Sequence, residues 1–556
     1  MIEPGAKNFF TRILWLVLLA GALTMMYQVW RLPARDLSQS EGLFAAIASE
    51  IVLDRPMSMA HGVAIKNQYF LYPWLCSLLD KYTDCGMISA LRYVNFFFVI
   101  CTALLLALAA GFTRDFKAGI IAAAMFCANG YVFMHTLSAN PLMMSLFLLF
   151  AAHCCWIYFG FTRGRWNLAW ITGLFLVGLG FLTGGIKIPI YFFLPLFFLH
   201  RPLKVAPKLN KKGFAAGMII LGICFLIWAL PYLLHSRDYN WSYIPHDYRG
   251  MGNFILNILL SPLYLLVLML PWPLIMWMPF CVAIRPLDKT PIFSHYFRVL
   301  FTANMVVVLF NPFSTMADFM FAVPPLVLLC ALSYDTAVRR YSVEMRRLIL
   351  LCGYIVAILA AGLVIYCFCP YENLINYVKF LPLDNGKELI FSAILAFFCL
   401  SVWIYHYRKH GQLWLIMLFT GCAMGIFAQL TFIPFLNADR SRSQLGNAIF
   451  QAIEADGGSK DAVICKNGIL DLYNEGHYMQ KKIRKLNDLA EIDKKEPVIY
   501  LLTIDFPQYP ARTWKNIFET TYRDRKLFLY RGDIAKRKEL INRRNTDLKT
   551  VPGGDK

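Results

Sequence analysis

Charge is what this 556-residue chain has least of: Asp, Glu, Lys and Arg together make up 16% of it, against 58% hydrophobic and 15% aromatic residues. A soluble domain carries about a quarter charged residues and fewer than half apolar ones, so an ordinary soluble protein is excluded. Acidic groups are the scarcer sign, 34 against 54 basic, for a formal net charge of +20. No Gly-rich phosphate loop is present, which argues against direct use of a nucleotide. No Cys-x-x-Cys or His/Cys cluster has metal-site spacing, so no cofactor is identified and a divalent metal is left open. Most of the 15 cysteines fall inside apolar runs, including Cys154-Cys155 and Cys367-Phe368-Cys369, where a small apolar side chain needs no special role. Cys76 and Cys85 share one loop, where an oxidising compartment would let them pair.

What fills the chain is a series of long apolar runs. The first, Ile13 to Trp30, holds no charged residue and is long enough to cross a hydrocarbon core of about 30 Å as a helix. It is longer than a signal-peptide core and no clean small-residue cleavage site follows, so it reads as a retained span. Further spans are expected at 92–112, 118–136, 141–161, 168–183, 186–200, 213–234, 256–284, 297–310, 319–337, 348–369, 388–406 and 413–435, about 13 in all. Backbone amides in lipid must pair within the segment, so these runs are helices rather than barrel strands.

Basic residues set the orientation. Alternate loops carry Arg114 and Lys117; Arg163 and Arg165; Arg201, Lys204, Lys208, Lys211 and Lys212; Arg285, Lys289 and Arg298; Arg339, Arg340, Arg346 and Arg347; Arg408 and Lys409. The loops between them are poor in Lys and Arg, the positive-inside pattern. It places the N-terminus in the cytoplasm and the tail outside. The net positive charge is thus chiefly a topology device, and no nucleic-acid partner is expected.

Two stretches depart from plain spans, both on the expected outer face. The first loop, residues 31–89, opens with Arg35-Asp36-Leu37-Ser38-Gln39-Ser40-Glu41 and continues into an amphipathic stretch, Gly42 to Val52, expected to lie along the membrane interface. A second short apolar segment, Phe70 to Leu79, is expected to do the same. The second stretch is Ser236 to Asn253, with Arg237, Asp238, Trp241, His246, Asp247, Tyr248 and Arg249. Beyond residue 435 the composition becomes ordinary, and residues 436–535 read as a small α/β domain. Strands are expected at Ala462–Cys465, Val498–Leu502 and Lys526–Tyr530, and helices at Leu470–Tyr478 and Trp514–Thr521. Residues 536–556 are polar, charged and read as disordered.

The first loop reads Ser40-Glu41-Gly42-Leu43-Phe44-Ala45-Ala46-Ile47-Ala48-Ser49-Glu50-Ile51, then Asp54-Arg55-Pro56, Gly62 and Tyr69-Phe70-Leu71-Tyr72-Pro73-Trp74-Leu75. With Arg92, Phe181-Leu182-Thr183-Gly184-Gly185 and Pro324-Pro325, this layout resembles the GT-C glycosyltransferases of the aminoarabinose transferase and protein O-mannosyltransferase type. The resemblance covers nearly the whole chain in layout. It implies an all-α polytopic membrane domain over residues 1–435, followed by a small extracytoplasmic α/β domain, in the plasma (inner) membrane of a bacterium with that domain in the periplasm.

The implied activity is inverting transfer of a sugar from a polyprenyl-phosphate donor to an acceptor outside the cytoplasm: lipid A or another glycolipid, a polysaccharide or a protein. The other partners are membrane lipids. Such a transfer needs a carboxylate to take the acceptor's proton, worth roughly 10²–10⁴-fold, and cations or donors for the departing phosphate. Glu41 matches the second member of the family's acidic pair and is the expected base, with Asp36 in reserve. Lys187, Arg249, Arg55, His61 and Lys66 are the candidates for the phosphate, and Tyr69 and Asn140 for the substrate more broadly. Glu41 also suits a helix N-terminus behind Ser38 or Ser40, and Lys187 also suits snorkelling to the interface. Four positions usually charged in the family carry Ser40, Tyr72, Asn140 and Gly184. A non-catalytic relative that binds a lipid-linked sugar or scaffolds an envelope complex is therefore the first alternative, and a lipid or sugar flippase the second.

Overall fold

The computed structural model describes residues 37, 41–51, 57–136, 138–200, 202–235, 241–242, 250–269, 272–273, 275–311, 314–344, 347, 351, 354, 443–458, 462–466, 472–479, 482–485, 498–504, 512–522 and 525–534. In chain order these form α1 (Glu41–Glu50), β1 (Met59–Ala60), β2 (Val63–Ile65), α2 (Leu71–Thr83), α3 (Met87–Thr113), α4 (Phe116–Cys127), α5 (Gly130–Thr136), α6 (Leu142–Ile157), α7 (Trp166–Gly184), α8 (Lys187–Phe197), α9 (Lys212–Leu234) and β3 (Trp241–Ser242). There follow α10 (Gly250–Leu268), α11 (Pro291–Phe310), α12 (Val323–Arg340), α13 (Ser443–Ala455), β4 (Val463–Lys466), α14 (Tyr473–Met479), β5 (Lys482–Lys485), β6 (Val498–Thr503), β7 (Arg512–Tyr522) and β8 (Arg525–Ile534). The chain divides into two compact units. One draws on Asn67–Leu233 and Ile244–Asp439, the other on Asp36–Lys66, Leu234–Tyr243 and Arg440–Lys556.

The first unit is helical. Among the described residues, six helical stretches are long and apolar enough to cross a membrane: Met87–Thr113, Leu142–Thr162, Trp166–Gly184, Lys212–Leu234, Pro291–Phe310 and Ala317–Arg340. Their surroundings differ. The last is almost wholly enclosed, whereas α9 turns Ile219, Ile223, Phe225, Leu226 and Leu230 outward, as a lipid-facing helix does. A polytopic membrane domain is thus confirmed. The first expected span, Ile13–Trp30, the last two and most of the one before those lie outside the described residues.

Two expected spans are interrupted. The 118–136 run breaks between α4 and α5, where the Asn129 side chain accepts from the amides of Tyr131 and Val132. The 256–284 run is not one helix: α10 ends at Leu268, and short 3-10 turns, Met278–Phe280 and Arg285–Leu287, follow. The sequence there contains Pro271, Pro273, Pro279 and Pro286, each lacking the amide that helix continuation needs. The 186–200 run yields only the 11-residue α8, too short to span.

In the second unit, a five-stranded sheet has the order β5-β4-β6-β8-β7. Strands β5, β4 and β6 are parallel, and β8 runs antiparallel to β6 and β7. Helix α13 lays Ile449 and Ile453 on one face with Ile464, Tyr500, Leu502 and Leu529, while Val463, Cys465, Ile499, Leu501 and Tyr530 pack on the other. Covered on both faces, β6 reads as an unbroken apolar run rather than an alternating one. A smaller sheet joins the two expected outer loops: β1 pairs with β2, and β2 runs parallel to β3 with Ala64 opposite Trp241.

Two expectations change here. Trp514–Thr521 is not a helix but part of β7. A β-bulge between Asn516 and Phe518 leaves Ile517 as an extra residue, which turns the alternation of a strand into the three- and four-residue spacing of a helix. Helix α1 has no polar face for an interface. Residues Glu41 through Ala48 are all buried, with Ser49 exposed, and the helix packs on α14.

Candidate functional site

In the second unit the expected base, Glu41, is the first residue of α1 and is 1% exposed. The start of this helix is held from the far end of the chain. The Gly42 amide donates to Asn474 Oδ1 at 2.9 Å, and the Leu37 amide to the Tyr478 hydroxyl at 3.1 Å. Its end is held by Glu50, whose carboxylate accepts from the amides of His61 (2.6 Å) and Gly62 (2.8 Å). Those two residues form the turn between β1 and β2 with positive φ, 54° and 75°, so both amides point to one side and make a small anion nest. Burial pushes the Glu50 carboxyl above its ordinary value, while the two amides and the nearby Arg484 and Lys466 pull it back.

His61 is buried with its ring stacked on Tyr473 at 4.9 Å, and the buried Lys466 places its amine 4.6 Å from the centre of the same ring. Lys66, just past β2, is exposed. Asp36, Arg55 and Arg249 lie outside the described residues.

In the first unit, Lys187 opens α8. A cation there opposes the positive end of the helix dipole, and the structure supplies a counter-charge: Lys187 Nζ donates to Asp318 Oδ1 at 2.9 Å. The other oxygen of Asp318 accepts from the Thr315 amide (2.9 Å) and hydroxyl (3.1 Å), a capping box at the start of the 3-10 turn Met316–Ala322. The Lys187 amine also sits 5.5 Å from the Phe321 ring, on which Tyr191 stacks. Tyr69 packs across Gly185, beside Phe181 and Trp228. Asn140 donates to Ser138 Oγ and accepts from the Leu142 amide at 3.0 Å, so it caps the entry to α6.

Two usually charged positions are occupied structurally. Tyr72 is fully buried and donates to the Leu91 carbonyl at 2.8 Å. A side chain at Gly184 would meet Ser145 Oγ at 2.7 Å, so a lysine there has no room without a shift of its neighbours. The C-terminal half of α12 carries another charge cluster: Asp335 binds Lys117 at 2.7 Å with Arg114 at 3.7 Å. At 1.5 Å per residue, Asp335 lies roughly 18 Å along α12 from its first residue, with the Asp318 turn just before that start. Cys76 and Cys85 are both free thiols, Cys76 fully buried. No group of three His, Cys, Asp or Glu side chains among the described residues is placed to hold a metal ion.

Glu50, Asn474 and Asp318 were not picked out from sequence. Asp318 had a local signal, the Thr315-x-x-Asp318 spacing of a capping box ahead of an apolar run. Asn474 had none, because its partner lies 432 positions away.

These features define a polytopic membrane protein that combines a helical membrane domain with a C-terminal α/β fold, an architecture with solved counterparts. It is similar to that of the aminoarabinose transferase ArnT from Cupriavidus metallidurans bound to undecaprenyl phosphate, with a TM-score of 0.67 at 12% identity over 92% of this chain and 97% of that one. The apo form of the same transferase gives 0.65 at 12% identity, over 95% and 98%. No protein-family model matches the sequence, and no curated protein matches it by sequence.

Proposed function

We propose that the chain is a membrane glycosyltransferase that takes a sugar from a polyprenyl-phosphate donor and passes it to an acceptor outside the cytoplasm. The observation that carries this reading is the match in fold over nearly the full length of both chains to a transferase solved with undecaprenyl phosphate. In the proposed mechanism Glu41 takes the proton of the acceptor hydroxyl, which attacks the anomeric carbon as the bond to the phosphate oxygen breaks, with inversion. Asp36 is the reserve base. Lys187 is the proposed cation for the phosphate, with Arg249, Arg55, Lys66 and His61 as further candidates, Asn140 for a sugar hydroxyl and Tyr69 for the substrate more broadly. Binding of a phosphate by Lys187 requires its ammonium to be shared with, or released from, Asp318. The acceptor is a glycolipid such as lipid A, a polysaccharide or a protein, and the site faces the periplasm of a bacterial inner membrane. The Arg114–Lys117–Asp335 end of α12 supports that sidedness, since it gathers loops that the positive-inside rule assigns to the cytoplasm.

A second reading, a non-catalytic relative that retains the lipid-linked sugar, is favoured by one observation: the positions of Tyr72 and Gly184 are committed to packing. The two are separated by reconstituting the protein with labelled undecaprenyl-phosphate sugars and candidate acceptors, comparing wild type with Glu41→Gln and Asp36→Asn. Transfer by wild type that is lost in one variant, with donor binding retained, supports the enzyme and names its base. Donor binding without turnover across all donors supports the second reading, and full activity in both variants removes the base assignment.

A further inference from the structure

The helix that begins at Glu41 is held at its start by a distant part of the chain. A helix leaves its first amides without intrahelical partners, and the usual remedy is a cap from the residues just before it. Here the second amide of α1, that of Gly42, is satisfied by Asn474 of α14, and the Leu37 amide by Tyr478 of the same helix. Asn474 and Tyr478 are four residues apart and so lie on one face of α14. The approach is close enough to require glycine: a Cβ at position 42 would lie 2.5 Å from the Asn474 amide nitrogen and 2.6 Å from its Cα. α14 is pressed from another side as well, since a Cβ at Gly446 of α13 would meet the Glu475 carbonyl and the Tyr478 Cβ at 2.7 Å. The Glu41 side chain, 1% exposed, follows the backbone of this first turn.

We propose that Asn474 and Tyr478 are positioning residues for Glu41, so that the C-terminal α/β fold sets the geometry of the general base. The inference rests on the reading of Glu41 as that base.

The test uses the full-length protein in nanodiscs and two readouts. The first is hydrogen exchange over residues 41–50. Asn474→Ala is expected to speed exchange of the Gly42 amide by about five- to tenfold, the size of a lost cap. Asn474→Asp, which keeps an acceptor oxygen, is expected to restore it, and Tyr478→Phe to speed exchange at Leu37. Unchanged exchange over Val498–Thr503 shows that the sheet is intact. The second readout is transfer from an undecaprenyl-phosphate sugar. Asn474→Ala is expected to lower kcat by about tenfold or more, leave the donor KM within twofold, and cause no further loss in a Glu41→Gln background. Unchanged Gly42 exchange in Asn474→Ala overturns the inference, as does a kcat loss that multiplies with that of Glu41→Gln. Faster exchange in a protein whose wild type transfers nothing overturns the reading of Glu41 as a base while the distant cap stands.

Discussion

Glu41 and Glu50 open and close the same ten-residue helix, yet their surroundings differ. Glu50 accepts two amides from the His61–Gly62 turn, and burial raises its pKa above the ordinary 4.5. The folded state therefore holds this proton more tightly than the unfolded chain, and stability is expected to fall as pH rises from about 4.5 through the raised value. Glu50→Gln should flatten that slope in thermal unfolding followed across mildly acid pH. An unchanged slope would show that another group causes it. Lys208 presents the opposite case. Its amine lies 3.8 Å from the centre of the Trp166 ring and donates to the Pro202 carbonyl at 3.3 Å, and burial lowers its pKa to about 8. The folded state loses this proton first, so stability should rise between about 8 and 10.5. Lys208→Met keeps the apolar stem and should abolish that rise, measured in the same melts. Cys76, fully buried, has its thiol pushed up by burial. It should resist alkylation in the native protein and react only on unfolding.

At the scale of elements, much was legible where the pattern is local. Six of the apolar runs gave helices long and apolar enough to cross a membrane among the described residues, and the Val498–Leu502 run gave a buried strand that the structure extends by one residue, to Thr503. Errors arose where one residue alters a period: the extra Ile517 gave β7 a helical spacing, and the prolines after α10 ended what hydropathy alone extends. Helix α1 misled for a different reason, because its apolar residues cover the whole helix and only tertiary packing shows what they face. The candidate site followed the same rule. Glu41 was singled out by its motif, and Asp318, though not picked out, had the local signal of a capping spacing. Asn474 was not readable, since a contact over 432 positions leaves no local mark. Gly62 is a direct test at this scale. Its φ is +75° and a Cβ would lie 2.8 Å from an Arg484 nitrogen. Gly62→Ala should therefore cost about 1–3 kcal/mol in urea unfolding, and a cost below about half a kcal/mol would mean that the nest relaxes freely.

At the scale of the whole molecule, composition and spacing were enough for a helical membrane domain with an α/β tail, because the bilayer admits few other solutions. The structure adds that the tail packs as one unit with parts of both loops that the sequence assigns to the outer face. Sidedness can be measured separately from chemistry. Lys526 of β8 is well exposed, so Lys526→Cys should react with a membrane-impermeant maleimide added to intact spheroplasts. Labelling only after lysis would invert the proposed topology.

The central claim is sugar transfer from a polyprenyl phosphate, and the configuration of the product tests it most directly. Purified protein in proteoliposomes, given an undecaprenyl-phosphate sugar of known anomeric configuration and a panel of glycolipid, polysaccharide and protein acceptors, is assayed by NMR of the new glycosidic bond. The account predicts a product of inverted anomeric configuration, formed by wild type and reduced roughly 10²–10⁴-fold in Glu41→Gln. A product with retained configuration would contradict it, and the same rate in Glu41→Gln would remove Glu41 as the base.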